Sequence, residues 1–505
     1  MDQRLILPIL LPFIAGIVLL LTNGMARQRR LSITAVAALL PLAAALLAMT
    51  GDGYHAYVLG NWPAPFGIVL VLDRLSALML GLTALVALPA LLYAVAAGTD
   101  AQGRYFHPLF QFQLMGLNGA FLTGDLFNLF VFFEILLIAS YSLLLHGGGR
   151  ERIRAGLHYV ILNLVGSALF LIAIGTLYGM TGALNLADLA VRIAAAPAAD
   201  AGLLRTGALL LLVVFGLKAA MLPLYFWLPA AYTCTSAPVA ALFALLTKVG
   251  VYSIIRVFSL AFGPTAGVAA NVAMPWLLPL ALATLLAGGF GVLASWDSRR
   301  LIAYSVIVSI GTLLAGIGLG STSGLSAALV YLVHTTLITA GMFLLADLIA
   351  MQRGHSDSRP SSPVAQPLIL GTLFFVGAVA MAGMPPLSGF LGKVLLLRAA
   401  EETVALPWIW SVVLGSSLLI MVAWGRMGSS LFWNTLDTPV TGIPVHARLL
   451  LPAVALLAAG PLLMVLARPL THFAAETAQQ IFAPAAYIET VLANRSLVPA
   501  TGTSP

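Results

Sequence analysis

Five ionisable side chains lie where a chain this apolar has little room for charge: Glu134, Lys218, Lys248, His334 and Lys393. Lys218 sits near the middle of the apolar run from Thr206 to Pro229, with Pro223 five residues on and Pro229 behind it. Lys248 lies in Leu-Leu-Thr-Lys-Val-Gly-Val-Tyr, and Lys393 follows the Pro385-Pro386 pair by seven residues. Glu134, in Leu-Phe-Asn-Leu-Phe-Val-Phe-Phe-Glu-Ile-Leu-Leu, is the only glutamate well inside an apolar segment. The three lysines are all the chain has, whereas its 21 arginines gather mostly at segment ends. The two cations differ in what burial does to them. A lysine, with a free pKa of about 10.4, can fall to about 5–6 in a dry site, but arginine stays charged. Lysines inside and arginines at the rim read as machinery for proton exchange. A carboxylate at membrane depth costs about 2.5–3.5 kcal/mol, so Glu134 needs a partner or a proton. A pair with Lys218 meets that need, because each favours the charged form of the other. His334, with a free pKa near 6.5, suits a relay.

Each residue also has a plainer reading. Lysines can snorkel to the membrane interface, Lys248 towards the level of Arg256 two turns on and Lys393 beside Arg398. His334 can be a structural histidine bonded to Thr335 or Thr336. Glu134 and Lys218 can be a structural ion pair, although buried pairs stabilise weakly. The central position of Lys218 argues against snorkelling. Asp125, Asp297 and Asp347 lie at segment ends, where capping or solvation is the default.

The elements that must hold these groups are membrane spans. Apolar residues make up 61% of the chain and charged ones 8%, with a mean hydropathy of +1.04, far from the roughly 25% charged residues of a soluble domain. Windows of about 17–25 apolar residues predict an all-α polytopic protein with fourteen spans. The first two are expected near Leu5–Thr22 and Leu31–Met49, the fifth at Leu126–Leu145, and the sixth at Leu157–Gly179. The seventh, Gly207–Leu228, is broken at Pro223, and Val239–Phe262 forms the eighth. The eleventh is Leu325–Ala350, and the twelfth, Leu368–Leu397, is broken at Pro385 and Pro386. The seventh and twelfth are proline-interrupted, each carries one lysine, and they lie five spans apart. An odd offset makes the copies cross in opposite senses, the mark of an inverted repeat with ion sites at broken helices. The whole is a single membrane domain: 1–104 as three leading helices, 105–262 and 263–432 as the two repeats, and 433–505 as a last helix and tail. The tail reads either as an interfacial or subunit-docking helix or as a disordered end. Arginines cluster in the odd-numbered loops, which places those in the cytoplasm and both termini outside. A net charge of +7 spread over short loops reads as topology, not nucleic-acid binding. One cysteine, Cys234, excludes a disulfide framework or an iron–sulfur ligand set. No Gly-rich loop follows a strand and no cluster has metal-ligand spacing, so neither cofactor nor metal is expected.

At these residues the chain resembles the antiporter-like membrane subunits shared by respiratory complex I and Mrp-type cation/proton antiporters. The resemblance covers nearly the whole length. It rests on Glu134, the run from Lys218 to Trp-Leu-Pro, Lys248, Asp297-Ser-Arg-Arg-Leu-Ile-Ala-Tyr-Ser, His334, and Met-Pro-Pro-Leu-Ser-Gly-Phe-Leu-Gly-Lys ending at Lys393. It implies fourteen helices with two inverted five-helix units and a line of buried charges carrying protons along the membrane plane. Glu134 and Lys218 would be the gating pair, Lys248 the central link and Lys393 the exit-side group. Length and Lys393 point to the D subunit of an Mrp-, Pha- or Mnh-type antiporter. That implies a transporter subunit in a bacterial cytoplasmic membrane, partnered by A (or fused A/B), C, E, F and G subunits and exchanging protons for sodium or another monovalent cation. A proton-pumping subunit of a complex I or membrane hydrogenase assembly, and a passive scaffold, are the alternatives. Two positions depart from the family pattern. Tyr232 stands where a histidine often follows Trp-Leu-Pro, and Thr339 stands near a common lysine position.

Overall fold

A computed structural model describes residues 3–436, 439, 442 and 444–493; the two chain termini, and with them the expectation that both face outward, lie outside the described residues. The helices run α1 (Leu7–Leu21), α2 (Met25–Met49), α3 (Arg74–Ala97), α4 (Phe106–Leu122), α5 (Leu126–Leu145), α6 (Arg150–Thr181), the short α7 (Leu186–Ala194), α8 (Ala201–Ala219), α9 (Trp227–Cys234), α10 (Ala237–Phe243), α11 (Leu246–Leu260), α12 (Met274–Leu293), α13 (Ser298–Gly318) and α14 (Thr322–Arg353). Then follow α15 (Pro367–Ala382), α16 (Ser388–Ala399), α17 (Leu406–Phe432), α18 (Ala447–Leu457), α19 (Ala459–Val465), α20 (Ala467–Phe482) and α21 (Pro484–Leu492). Among the described residues twelve helical stretches are long and apolar enough to cross a membrane. α15, part of the interrupted α15–α16 pair, is apolar but short, and the 17-residue α4 carries Gln111, Gln113 and Asn118; with these, a helix stands at each of the fourteen expected positions.

Three helices start well before the expected residue. α2 begins at Met25, not Leu31, α6 at Arg150, not Leu157, and α8 at Ala201, not Gly207, so Arg27, Arg29, Arg30, Arg150, Arg152, Arg154 and Arg205 belong to helices, not loops. Hydropathy finds the part of a helix that sits in hydrocarbon, but arginine is a good helix former and continues the helix into the headgroup layer. Asp125 and Asp297 are caps, accepting the backbone N–H of Asn128 (2.8 Å) and Arg300 (2.9 Å). Burial lifts the Asp125 carboxyl above its ordinary value even though backbone N–H groups oppose the shift. Asp347 instead joins Arg299 and accepts the Tyr93 hydroxyl at 2.8 Å.

The deepest helices are not the most apolar ones: α1, α2 and α6 are more apolar yet largely face outward, as lipid contact demands, while the bundle interior takes up the polar groups. The α10–α11 and α14 spans are buried over their whole apolar windows, and they carry Lys248 and His334. An antiparallel hairpin, β1 (His55–Val58) with β2 (Val69–Leu72), pairs His55 with Leu72 and Val58 with Val69. It closes the end of α4, where the Gly124 N–H donates to the Val69 carbonyl at 2.8 Å. The tail through residue 493 is neither free nor irregular. α20 and α21 fold back on their own bundle through Arg74–Glu476 (2.6 Å), the Tyr54 hydroxyl on the Gln480 carbonyl (2.9 Å), and the Arg256 guanidinium 5.5 Å from the Tyr487 ring centroid.

Candidate functional site

Helix α8 stops one residue after Lys218. Ala220 takes the left-handed conformation (φ 62°), and the Met221 N–H reaches back five residues to the Gly216 carbonyl at 2.8 Å, the bonding of a Schellman cap. The chain is then open across Pro223 until α9. At membrane depth such freed backbone groups must find partners, and they do. The Leu222 N–H donates to Thr284 Oγ1 of α12 (2.9 Å), and the Trp227 indole donates to the Leu217 carbonyl (3.0 Å). Pro229 is no second break. It falls in the first turn of α9, where its missing N–H is not needed.

The second break repeats this backbone. α15 ends at Gly383 (φ 75°), and the Met384 N–H reaches the Val379 carbonyl five residues back at 3.1 Å. Pro385 and Pro386 follow, then α16. Lys218 lies in the last turn before its break and Lys393 after its own, and their ammonium groups find different partners. Lys393 Nζ turns back to donate to the Ala382 carbonyl at the end of α15 (2.8 Å) and to Ser417 Oγ (2.8 Å). The Lys393 ammonium therefore sits at the C-terminal end of a half-helix, where unpaired carbonyls and the helix dipole present negative charge.

Lys218 is 7% exposed. Its Nζ donates to Asn163 Oδ1 of α6 (3.2 Å) and lies 6.0 Å from the Phe133 ring centroid. Glu134, partly exposed on α5, accepts the Ser167 hydroxyl of α6. The expected direct ion pair is not formed: among the described residues no salt bridge joins Glu134 to Lys218. Ser167 and Asn163 are one turn apart on α6, so that helix supplies a polar step between acid and amine. A cavity of about 10 Å³, walled in part by Lys218, Asn163, Tyr159 and Trp227, adjoins the step, about the room one water needs.

Lys248 is fully buried and its Nζ reaches Ser309 Oγ of α13 at 3.5 Å. Gly250 brings α11 against α8, for a Cβ there would meet the Phe215 carbonyl at 2.8 Å and the Ala219 backbone. Three residues before Lys248 the span is interrupted at Ala244–Leu245. The hydroxyl of Tyr232, the residue standing where a histidine is common, donates to the Phe243 carbonyl at that interruption (2.5 Å). His334 bonds neither Thr335 nor Thr336. Its Nδ1 is 2.8 Å from Ser388 Oγ, the first residue of α16, which ties it to the second break. Thr339 is fully buried, and its hydroxyl has no partner. Among the described residues none of the three lysines enters a salt bridge. Their partners Asn163, Ser309 and Ser417, with Ser167 and Ser388, were not singled out from the sequence; the signal available was polar side chains inside apolar spans.

The packing of His334 is testable. A Cβ on Gly389 would fall 2.8 Å from His334 Nε2 and collide with the Ala380 carbonyl. Gly389→Ala is expected to lower stability by about 1–3 kcal/mol, as overpacking does, read as a lower thermal unfolding midpoint in detergent. An unchanged midpoint would show that α16 yields at no cost.

Comparison with known proteins agrees with this architecture. Residues 123–422 match the family described as NADH:quinone oxidoreductase/Mrp antiporter, TM. The D subunit of a probable K(+)/H(+) antiporter from Rhizobium meliloti is 44% identical over 530 aligned residues, covering 97% of this chain and 98% of that protein. The D subunit of the Na(+)/H(+) antiporter from Alkalihalophilus pseudofirmus is 38% identical over 502 residues, covering 97% and 100%. A chain in the structure of the Mrp complex from Dietzia superposes with a TM-score of 0.87 at 27% identity, over 97% of this chain and all of that one. The chain belongs to the NADH:quinone oxidoreductase/Mrp antiporter family of membrane subunits, and within it to the antiporter D subunits.

Proposed function

We propose that this chain is the proton-carrying D subunit of a multi-subunit antiporter that exchanges protons for sodium or another monovalent cation. Its relay runs from Glu134 through Lys218 and Lys248 to Lys393, with His334 beside the second break. The observation that carries this reading is that all three buried lysines bond only neutral groups, with Lys393 at the carbonyl end of an interrupted helix. A lysine held this way can alternate between amine and ammonium as a neighbouring charge comes and goes, which arginine cannot do. Asn163 and Ser167 form the gate between Glu134 and Lys218, and His334 serves where Thr339 replaces a lysine. The two breaks organise residues 105–262 and 263–432 as inverted repeats, flanked by 1–104 and 433–505. The subunit works in a bacterial cytoplasmic membrane with the odd-numbered loops inside, assembled with A (or fused A/B), C, E, F and G partners. The D-subunit relatives at 44% and 38% identity favour antiport over a redox-driven pump.

The test is cation/proton exchange in everted vesicles holding the complete complex with Glu134→Gln or Lys218→Ala. Exchange is expected to fall at least about 10²-fold in each, the lower range for loss of a positioned proton-transfer group, while assembly is kept. Normal exchange in both variants would remove these residues from the relay.

A further inference from the structure

At one end of the bundle a pocket of about 510 Å³ opens between the end of α1, the start of α4 and the end of α5. Its chemistry is graded. Leu20, Leu109, Phe112 and Leu145 make an apolar wall, while Arg104 and His146 stand among its polar lining. Arg104 is exposed, lies 5.5 Å from the Tyr105 ring centroid, and forms no salt bridge among the described residues. His146 is only 8% exposed and its ring lies against the Gly103 backbone, so it forms part of the pocket floor. No carboxylate lines the pocket. The nearest acid beneath it, Asp100, is buried and already held by Arg29 (2.6 and 2.9 Å) and His107 (3.1 Å). At the start of α6, just after the pocket residues His146 and Gly147, Arg150, Arg152 and Arg154 outnumber the exposed Glu151 among them and leave the field positive. Tyr105 is an aromatic residue at a helix end, where membrane–water interfaces concentrate such side chains.

We propose that this pocket binds one anionic phospholipid, with its phosphate against Arg104 and an acyl chain along Leu20, Leu109 and Phe112. Positive charge above an apolar wall at the level of the helix ends matches the two halves of such a molecule. A free phosphate would use only the upper half. Burial holds the His146 imidazole below its ordinary value of 6.5 although the Gly103 backbone opposes the shift, so Arg104 supplies the charge.

A photocrosslinker answers the question at the site itself. Benzoylphenylalanine replaces Phe112 in the full chain, within its complex, in phosphatidylcholine vesicles holding a minor fraction of phosphatidylglycerol. After illumination the lipid adducts on that peptide are identified by mass spectrometry. Phosphatidylglycerol adducts are expected to exceed the bulk lipid ratio about fivefold or more, as one basic residue near a headgroup confers. Arg104→Gln, a surface change that leaves the fold alone, should return them to the bulk ratio, and Leu109→Trp, which fills the wall, should remove lipid adducts altogether. Adducts at the bulk ratio in the chain with Arg104 intact would overturn the proposal, as would a crosslink to another subunit. So would loss of the enrichment in phosphate buffer but not in chloride of equal ionic strength, which would assign the site to free phosphate.

Discussion

Lys248→Met is expected to cut cation/proton exchange in the assembled complex by about 10²-fold or more, the cost of losing a positioned proton-transfer group. Methionine keeps the unbranched shape and nearly the volume, so the packing between α11 and α13 should survive. What disappears is the titratable atom that the proposed relay sets between Lys218 and the second half. Lys248→Arg makes the sharper comparison. It restores a positive charge at the same depth, but a guanidinium stays protonated, so a relay that needs proton release should remain blocked. If instead position 248 only sets an electrostatic potential, the arginine variant should recover exchange. Measured side by side in everted vesicles with equal amounts of complex, exchange within twofold of the parent in the methionine variant would take Lys248 out of the path.

The second large effect concerns stability. Arg256, two turns beyond Lys248 on α11, grips Asp73 through Nη1 (2.6 Å) and Nη2 (2.8 Å) and touches the Tyr252 hydroxyl through Nε (3.2 Å). Asp73 is fully buried and at the same time caps α3 in a reciprocal box with Ser76. Arg256→Met therefore leaves a buried carboxylate with no counter-charge, a loss of about 3–5 kcal/mol. Adding Asp73→Asn should recover most of it, since asparagine caps a helix as well as aspartate and brings no charge to bury. The readout is the thermal unfolding midpoint of the purified complex. A single variant as stable as the parent would show that water reaches the site. The pH dependence has a definite sign. Burial opposes ionisation of Asp73, but the charge and hydrogen bonds of Arg256, with those of Ser76, hold its carboxyl below the ordinary 3.8. The stabilisation is thus complete above the unfolded carboxyl's value and is lost only as acid titrates the folded one.

Much of the architecture could be read from the chain because hydrocarbon thickness and proline are blunt constraints. The fourteen segments, the interruptions at Pro223 and Pro385-Pro386, and the caps at Asp125 and Asp297 needed no third dimension. What pairs with what was another matter. Glu134 and Lys218 invited a direct bond by charge alone, yet α6 puts Ser167 and Asn163 between them. That placement depends on how α5, α6 and α8 lean on one another, which no periodicity encodes. The interruption at Ala244–Leu245 carries neither proline nor glycine and is held by Tyr232 from another helix. The tail looked ambiguous because its anchors, Arg74 and Tyr54, lie at the far end of the sequence.

The two helix breaks share a backbone but not a tolerance. At the first, Ala220 bears the left-handed conformation, a strain of about 1–2 kcal/mol for any residue with a Cβ. At the second the residue is Gly383, and a methyl group there would land 2.7 Å from Lys393 Cδ, because the lysine stem crosses that spot to reach the Ala382 carbonyl. Glycine could be moved from the second cap to the first and would ease it, but alanine could not be moved the other way without dislodging the cation. A fold that looks the same from either half is thus directional as an inheritance: one half can borrow the spelling of the other, and the loan cannot be returned.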